Sequence, residues 1–447
     1  GGGGGAGGGG GGGGNGVRRR PRQDAEDYAP RKKVQGQRPV DTYAASIRHI
    51  QSRLRHKNTP FEFHVPPHAY YSHDLLPAFA TPQCPATALC TQWVNTSYHP
   101  DTRSQRARIS FFALKWAPTG RRLLASTGRG EFLLINGHNF GLEVKTVAHD
   151  EGRACRALAW GRSNDLILSG DDNGTVKMWL PTFVVVSEFQ TNHKAVREIS
   201  TPPTEMKFVT AGQDGSARIW DTEACASATS SSSSPSASTV EEETKLEGHG
   251  GDVCTVDWHP FQALIATGSQ DRDIRLWDPR TAASGSIATL QGHAQALTSL
   301  RWHHHGNYLL SGGRDCMARI WDLRMAKEVS SYHGHSKDVL KVHWHPTHHN
   351  LFVTAGLEGS VLYWLMNAHE GTLRNDGAYD VVKYLAQMEE AHEKFRDTPN
   401  AINDIAFSPT GHVLATCSAD VRTWHRNKPG ALEEQQRGHD MDNIAAM

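Results

Sequence analysis

Short runs of alternating apolar and polar residues, separated by turns rich in Gly and Asp, recur along the chain from about residue 110 onward. Three of these runs align on their tryptophans: GHGGDVCTVDWHPFQALIATGSQDRDIRLWD (248–278), GHAQALTSLRWHHHGNYLLSGGRDCMARIWD (292–322) and GHSKDVLKVHWHPTHHNLFVTAGLEGSVLYWL (334–365). Alternation with a period of two predicts short β-strands. Because the runs also repeat at a regular spacing, the pattern predicts an all-β array of similar sheet units.

An acidic residue, or a substitute for one, lies six residues before the closing tryptophan of most units. The pairs are Asp214 and Trp220, Asp271 and Trp277, Asp315 and Trp321, and Glu358 and Trp364, with Asn173 before Trp179. This spacing is more specific than the composition of the turns. Seven copies lie between residues 111 and 424, and seven four-stranded units predict one closed β-propeller.

The first and the last copies depart from this pattern. Arg129 and Ile135 occupy the acid and tryptophan positions of the first copy, and only three residues separate Asp420 from Trp424 in the last. End units of a ring are often irregular, because closure borrows a strand from the other end of the chain. The stretch 88–98 is rich in β-forming residues, and we predict that it contains the closing strand.

The repeated unit resembles the WD repeat, in which a His, a Ser or Thr, an Asp and a Trp form a hydrogen-bonded tetrad within each blade. Two sets of residues fit that pattern: His249, Thr267, Asp271 and Trp277, and His293, Ser311, Asp315 and Trp321. A buried polar network must be fully satisfied, since the loss of one member leaves the others unpaired. We therefore interpret these His and Asp residues as structural rather than catalytic.

The segments outside the repeats divide the chain further. The predicted parts are a Gly-rich and basic tail (1–27), a basic arm with a short helix (28–87), the propeller (88–430) and a C-terminal tail (431–447). Tyr43, Ile47, Ile50 and Leu54 form one apolar stripe at helical spacing, with Asp41 as the N-cap, so this helix is expected to dock on the body and anchor the arm.

Two insertions interrupt the propeller. Residues 226–244 are a Ser-rich stretch with an acidic end, expected to be a solvated loop and a candidate for phosphorylation. Residues 369–400 follow the sixth copy and carry a helical pattern: Tyr379, Val382, Leu385 and Met388. We leave open whether that helical face packs on the propeller or on a partner.

The formal charge of the chain is zero, but it is unevenly distributed. Residues 18–57 contain twelve Lys or Arg and four Asp or Glu, an excess of eight positive charges, and the remaining residues carry the opposite excess. A basic arm before a mildly acidic body is typical of a segment that contacts a polyanion. A nuclear import signal or a segment that docks on a scaffold is the alternative interpretation of such a cluster.

Several functional classes find no support. The seven cysteines are scattered and never spaced CxxC, which favours a reducing compartment, and no apolar run is long enough to cross a membrane. No nucleophile elbow, phosphate-binding loop or HExxH motif occurs in a suitable context, so we expect neither an enzyme nor a cofactor or metal site, and no small-molecule substrate. The histidines at 303–305 and at 348 and 349 are expected to be solvated residues of variable turns.

From about residue 28 to Gly430 the sequence resembles the WD-repeat subunit of the eukaryotic cleavage and polyadenylation specificity factor, a family called polyadenylation factor subunit two in fungi. The resemblance is carried by RKK and VDTYAASIRHIQSRL in the arm, WAPTGRRLLASTGRGEFLLINGHNF in the first copy, CTVDWHP in the fourth, and the terminal WHRNKPG. It implies a non-catalytic nuclear protein that binds the AAUAAA polyadenylation signal of pre-mRNA. The implied partners are a zinc-finger subunit and a large multi-propeller scaffold subunit.

The same resemblance implies roles for individual residues. Tyr28 matches an aromatic residue that stacks on bases, Arg31, Lys32 and Lys33 match a basic cluster that contacts RNA, and Arg38 matches the last arginine of the arm. The physical chemistry agrees, because single-stranded RNA is bound by cations along its phosphates and by aromatic faces against its bases.

One position departs from the animal members of that family, which carry a second stacking phenylalanine after the first copy. Here Leu142 occupies the position, and Phe140 lies two residues earlier. Leu142 covers a base with apolar surface but offers no aromatic face, and Phe140 is the alternative, since strand alternation would place residues 140 and 142 on the same face.

Three function hypotheses follow. The leading one is an RNA-recognition and assembly subunit of the pre-mRNA 3′-end processing machinery. The alternative is a general WD-repeat scaffold, such as a ubiquitin-ligase receptor or a chromatin adaptor, whose arm binds protein. A propeller hydrolase is the third, and no motif supports it.

Overall fold

The computed structural model describes the propeller region of the chain. The described residues are 94–98, 110–137, 140–150, 152–161, 166–202, 206–227, 242–281, 285–346, 350–366, 386–388, 401–409, 411 and 413–425. The basic arm, its predicted helix and both predicted tails lie outside these residues.

Seven four-stranded antiparallel sheets, numbered here as blades one to seven, account for the described strands. Blade one consists of β2 (Phe111–Trp116), β3 (Arg122–Thr127), β4 (Glu131–Asn136) and β5 (Leu142–Val147). Blade two consists of β6 (Cys155–Trp160), β7 (Ile167–Asp171), β8 (Thr175–Trp179) and β9 (Val185–Gln190). Blade three consists of β10 (Val196–Ser200), β11 (Lys207–Gly212), β12 (Ala217–Asp221) and β13 (Thr244–Leu246). Blade four consists of β14 (Val253–Trp258), β15 (Ile265–Ser269), β16 (Ile274–Trp277) and β17 (Ala288–Leu290). Blade five consists of β18 (Leu297–Trp302), β19 (Tyr308–Gly313), β20 (Met317–Asp322) and β21 (Lys327–His333). Blade six consists of β22 (Val339–Trp344), β23 (Leu351–Gly356), β24 (Val361–Leu365) and β25 (Ala386–Met388). Blade seven consists of β26 (Asp404–Phe407), β27 (Val413–Cys417), β28 (Val421–His425) and β1 (Val94–Tyr98).

The blades form a closed ring. In blades one to six the four strands follow one another as an antiparallel meander. The first strands of neighbouring blades contact each other around the ring, with β26 returning to β2. The core lies between blades, because each apolar cluster combines residues of two neighbours, as where Val209 and Ile219 of blade three pack with Trp258 and Trp277 of blade four. The predicted all-β, seven-bladed propeller is confirmed.

The closing strand was predicted from the β-rich stretch 88–98, and this prediction is confirmed. Strand β1 pairs antiparallel with β28, with Val94 opposite Trp424 and Tyr98 opposite Val421. The last blade therefore takes its outer strand from residues that precede blade one in the chain.

The predicted tetrads are brought together by the structure. In blade four, Trp277 Nε1 donates to Thr267 Oγ1 (2.8 Å), and His249 contacts Thr267 Oγ1 (2.7 Å) through Nε2 and Asp271 Oδ2 (2.8 Å) through Nδ1. Burial lowers the pKa of His249, so the ring is neutral at pH 7 and can donate one proton to Asp271 while accepting one from Thr267. The chain of donors thus runs from Trp through Thr and His to Asp.

The same arrangement occurs in other blades. His293, Ser311, Asp315 and Trp321 are joined by contacts of 2.7 to 2.9 Å in blade five. Blades three and six contain the equivalent sets His193, Thr210, Asp214 and Trp220, and His335, Thr354, Glu358 and Trp364.

The second blade corrects one residue assignment. Asn173 had been placed at the acid position before Trp179, but the acid that faces His149 is Asp171, whose Oδ2 lies 3.5 Å from His149 Nδ1. His149 Nε2 and Trp179 Nε1 both contact Ser169 Oγ, at 2.8 and 2.9 Å. Asp171 also accepts hydrogen bonds from the backbone N–H groups of Asn173 and Thr175 and so stabilises the turn from its first residue. Because Asp171 precedes the position six residues before Trp179, the spacing rule did not identify it.

Both insertions differ from their predicted form where they are described. Met388 had been assigned to a helical face, but it ends β25, which pairs with β24 as the fourth strand of blade six. A blade needs an outer strand at this point, and that requirement overrides the weak helical spacing. At the Ser-rich insertion, residues 226 and 227 belong to a short helix, α1 (Thr222–Ser227), and Thr244 begins β13.

The prediction of solvated turn histidines is wrong for His303. Its side chain is 3% exposed, and its ring packs edge-on against Trp344 of the next blade, with the ring centres 4.6 Å apart. His259 and His345 follow a tryptophan in the same way and are also buried, each with Nε2 3.1 Å from a carbonyl oxygen in the next blade's turn. These residues therefore join blades; the pair at 348 and 349 lies outside the described residues.

Side chains also join the inner strands directly. Glu198 Oε2 accepts from Val256 N (3.1 Å), Asp257 Oδ2 from Trp302 N (2.8 Å), and Asp404 Oδ2 from Leu114 N (2.9 Å). Ser200 and Ser299 do the same through their hydroxyl oxygens, accepting from Trp258 N and Val342 N. The inner edge of a blade is thus capped by acceptors of the preceding blade.

Oppositely charged side chains converge on the same inner strands. Arg301 of blade five reaches Glu198 of blade three and forms an ion pair with it, past the intervening blade. Burial alone would raise the pKa of Glu198, but the charges of Arg301, Lys341 and Lys115 lower it to about 2. Burial lowers the pKa of Lys115, and the charge of Arg301 lowers it further.

This cluster generates a prediction about stability. Glu198→Gln leaves Arg301 without the carboxylate that it pairs with, and removal of one partner of a buried ion pair costs about 3–5 kcal/mol at pH 7. The folded pKa is below the ordinary value of 4.5, so the contribution of Glu198 is present above pH 4.5 and is lost as pH falls toward about 2. The difference in denaturation midpoint between wild type and variant should therefore shrink between pH 6 and pH 3.

The exposed Glu223→Gln is the control, and it should change stability by less than about 0.5 kcal/mol at any pH. A deficit of Glu198→Gln that is equally large at both pH values would contradict the assigned role of the charge.

Candidate nucleic-acid interface

The interface predicted from sequence has two parts, the arm and the first blade. Tyr28, Arg31, Lys32, Lys33 and Arg38 of the arm lie outside the described residues, and their roles stay predictions. Phe140 and Leu142 are described, and they lie at the hairpin between β4 and β5.

Phe140 differs from its predicted position on a strand face. Its N–H donates to Asn136 O (2.9 Å), and its φ of 54° places it in the left-handed region rather than in an extended strand. The side chain is 8% exposed and belongs to the apolar cluster of Phe111 and Trp116. A ring buried in this way presents almost no face to a base, so we do not carry Phe140 forward as an RNA-binding residue.

Leu142 is the first residue of β5, and its side chain is 42% exposed. It lies opposite Ile135, whereas Val144 lies opposite Leu134, because a bulge inserts Glu143 between them. Directly opposite residues of an antiparallel pair share a face. Ile135 packs with blade seven and Leu134 with blade two, so Leu142 is on the side of blade seven and Val144 on the side of blade two.

The turn beside Leu142 carries a candidate that sequence reasoning missed. Arg121 is exposed, and it forms no ion pair with any other residue that the structure describes. Its carbonyl oxygen accepts from Gly137 N at 2.6 Å, which places the β2–β3 turn against the β4–β5 hairpin. A Cβ at Gly137 would lie 2.6 Å from Gly120 O and 2.9 Å from Arg121 O, so only glycine allows this approach.

The other charges near Leu142 are already paired. Glu143 Oε2 lies 3.0 Å from Arg122 Nε, and Lys145 Nζ lies 3.0 Å from Glu131 Oε1. Among the described residues of this hairpin and of the turn against it, Arg121 is therefore a cation without an ion pair. Its signal in the sequence was the consecutive pair Arg121 and Arg122, of which Arg122 pairs with Glu143.

Reactive groups are not assembled in the described part of the chain. Burial raises the pKa of the Cys155 and Cys225 thiols to about 12, and no group of three His, Cys, Asp or Glu side chains among the described residues is arranged to bind a metal ion. The five described cysteines are free thiols. A separate search of the described helices finds none with the length and apolar character needed to span a membrane.

A comparison with protein families identifies the repeats. Residues 141–179, 184–221, 241–278, 284–322, 326–364 and 390–420 each match the WD domain, G-beta repeat. The first five matches each run from the outer strand of one blade to the third strand of the next, whereas 390–420 contains the first two strands of blade seven.

Comparison with individual proteins finds relatives that share one name. The chain is 33% identical over 252 residues to polyadenylation factor subunit 2 of Gibberella zeae, which covers 56% of this chain and 37% of that protein. It is 32% identical over 251 residues to the Neurospora crassa protein of the same name, covering 55% and 34%. The match to the Candida albicans protein is 30% identical over 385 residues, covering 73% and 59%.

The matched regions thus span between about a third and three fifths of the relatives' own lengths. The resemblance to the WD-repeat subunits of polyadenylation factors is confirmed by these relatives. With a closed ring of seven blades, repeated tetrads and six matched repeats, the chain belongs to the WD-repeat family.

Proposed function

We propose that the chain is a non-catalytic RNA-binding and scaffold subunit of the nuclear machinery that cleaves and polyadenylates pre-mRNA. The observation that carries this proposal is the similarity of the repeat region to several proteins named polyadenylation factor subunit 2. Its RNA ligand is the AAUAAA-type polyadenylation signal. Its protein partners are a large multi-propeller scaffold subunit and a zinc-finger subunit.

The arm and the first blade have different tasks in this proposal. Arg31, Lys32, Lys33 and Arg38 contact phosphates and base edges, and Tyr28 stacks on a base. Leu142 covers a neighbouring base with apolar surface, and Arg121 contacts a phosphate beside it. Leu142 is on the blade-seven side of blade one, and its exposed side chain is the part of this proposed interface that the structure describes.

A non-catalytic role agrees with the chemistry of the propeller. Its histidine and aspartate pairs belong to structural tetrads, and its buried thiols have raised pKa values. Cleavage and poly(A) synthesis would therefore be performed by other subunits of the complex.

RNA titration of the reconstituted complex tests the proposal. The chain is assembled with its scaffold and zinc-finger partners, and fluorescence anisotropy is measured with AAUAAA and AAGAAA RNAs over a range of salt. The variant Arg31/Lys32/Lys33→Ala should bind AAUAAA more weakly, and the slope of log K against log salt should fall by about 2, since single strands release about 0.7 counter-ion per phosphate contact.

The matched control is Arg18/Arg19/Arg20→Ala, which removes the same charge from the segment before the arm and should leave AAUAAA affinity within about twofold. If the arm variant assembles and binds both RNAs as wild type does, the arm is an import or docking segment and the propeller is a protein scaffold.

Leu142 allows a sharper test of the first blade. Leu142→Phe should tighten AAUAAA binding, because stacking of an aromatic ring on a base contributes about 1–3 kcal/mol. Val144→Phe is the control: its side chain is equally exposed, at 42%, and lies two residues away on the opposite face of the same strand. Both variants are measured in the same assembled complex.

The expected result is tighter binding by Leu142→Phe alone. Equal effects of the two substitutions would show that added apolar surface acts nonspecifically, and no effect of either would place the RNA away from this face.

A further inference from the structure

The inner strands of blades one to six share an irregularity near their first residue. In each of them a β-bulge inserts one unpaired residue against the second strand: Phe112, Arg156, Arg197, Cys254, Thr298 and Leu340. A bulge re-aims the extra side chain out of the regular ladder, and all six side chains are partly exposed. They therefore surround the ring at the end where the inner strands begin.

The tetrad acids lie at this same end of the ring. The turn carrying each tetrad acid lies beside the start of the inner strand, where Gln270 N donates to Asp252 O and Arg314 N donates to Ala296 O, both at 2.9 Å. Arg314 directly precedes the tetrad residue Asp315 and is exposed. It therefore adds a third guanidinium group to the two at the bulges, Arg156 and Arg197.

The three arginines surround one sector of the ring. Arg156 and Arg197 occupy equivalent positions on the contacting strands β6 and β10. Arg197 and Arg314 lie on either side of the blade that carries Cys254. Burial raises the pKa of Cys254, and the charges of both arginines oppose that increase, which is consistent with two guanidinium groups close to one thiol.

The charges of Arg197 and Arg314 are not compensated. Neither side chain has a hydrogen-bond or ion-pair partner among the residues that the structure describes. Arg156 is compensated, since its Nε lies 2.8 and 3.0 Å from the two carboxylate oxygens of Asp172. The carboxylate of Asp252 accepts from Gln270 Nε2 at 3.2 Å, and the tetrad carboxylates Asp214, Asp271 and Asp315 are each paired with a histidine.

We propose that Arg197 and Arg314, with Arg156 beside them, bind the carboxylates of an acidic peptide segment of a partner protein at the tetrad end of the ring. A guanidinium group presents its donors in a planar fork that fits a carboxylate. Peptide is favoured over single-stranded RNA because sites for single strands typically combine cations with free aromatic faces. The Phe112 ring is covered by Arg156, whose Cζ lies 4.1 Å from its centre.

The exposed apolar side chains support the same distinction. Most of those among the described residues lie toward the other end of the ring: Leu142, Val144, Leu180, Val184, Val185, Met206, Phe261, Ile287, Met325 and Val329; Val147 ends the outer strand β5 at the tetrad end and is aliphatic. The tetrad end thus offers cations without stacking surfaces. This site is separate from the proposed RNA interface and does not depend on it.

Fluorescence anisotropy with the full chain tests the proposal. The probe is a fluorescein-labelled peptide of alternating Glu and Ser, and the control peptide has Gln in place of Glu. Arg197→Glu and Arg314→Glu should each raise the Kd by about tenfold, equivalent to ~1.4 kcal/mol. Arg280→Glu makes the same charge change at an exposed turn at the other end of the ring and should have less than about a twofold effect.

Further variants separate binding from folding and from the RNA interface. Arg197→Lys keeps the charge without the fork and should bind with intermediate affinity at an unchanged melting temperature. Arg31/Lys32/Lys33→Ala should bind the peptide as wild type does. Equal binding of the Glu and Gln peptides, or an equal loss with Arg280→Glu, would overturn the proposal. Preferential binding of a labelled uridine oligonucleotide that Arg197→Glu abolishes would also overturn it and make this face a nucleic-acid surface.

Discussion

The propeller depends on satisfying the inner edges of its sheets. Each inner strand leaves backbone N–H groups on a side where no further strand can pair. Side-chain acceptors of the preceding blade meet this requirement, as Glu198 does for Val256 and Asp404 does for Leu114. Because these bonds join one blade to the next, the same contacts that remove unpaired donors also close the ring.

Ring closure has a consequence for the rest of the chain. Strand β1 completes blade seven, so residues 94–98 belong to the same sheet as residues 404–425. The inner strands and the tetrads make the hydrogen bonds that hold the ring together. The turns and outer strands can therefore differ in sequence from one blade to the next. Blade one illustrates this, since it carries Arg129 and Ile135 in place of the acid and the tryptophan and presents Leu142 and Arg121 at its surface.

Periodic features were predictable from sequence. The number of blades, the tetrads of blades four and five and the closing strand all follow from repeated spacing or from composition that favours strands. Local exceptions were not predictable. Phe140 leaves the strand pattern through a left-handed turn, and a bulge at Glu143 changes the face of each residue beyond it. Neither leaves a sign in the alternation of apolar residues.

Other misplacements arose where tertiary context overrides spacing. Asp171 replaces Asn173 because the acid at the start of the turn reaches His149, and Met388 is a strand residue because blade six needs its fourth strand. The inter-blade ion pair of Glu198 and Arg301 joins residues more than a hundred positions apart, a separation at which no local pattern operates. The arm, which carries most of the predicted RNA contacts, rests on sequence resemblance and charge.

Photo-crosslinking shows whether this chain contacts the polyadenylation signal. An AAUAAA RNA with 4-thiouridine at its uridine is bound to the reconstituted complex, irradiated and digested, and the crosslinked peptides are mapped by mass spectrometry. The account predicts crosslinks within residues 28–38 or at the turns around Arg121 and Leu142. Crosslinks confined to the partner subunits, with none in this chain, would contradict it.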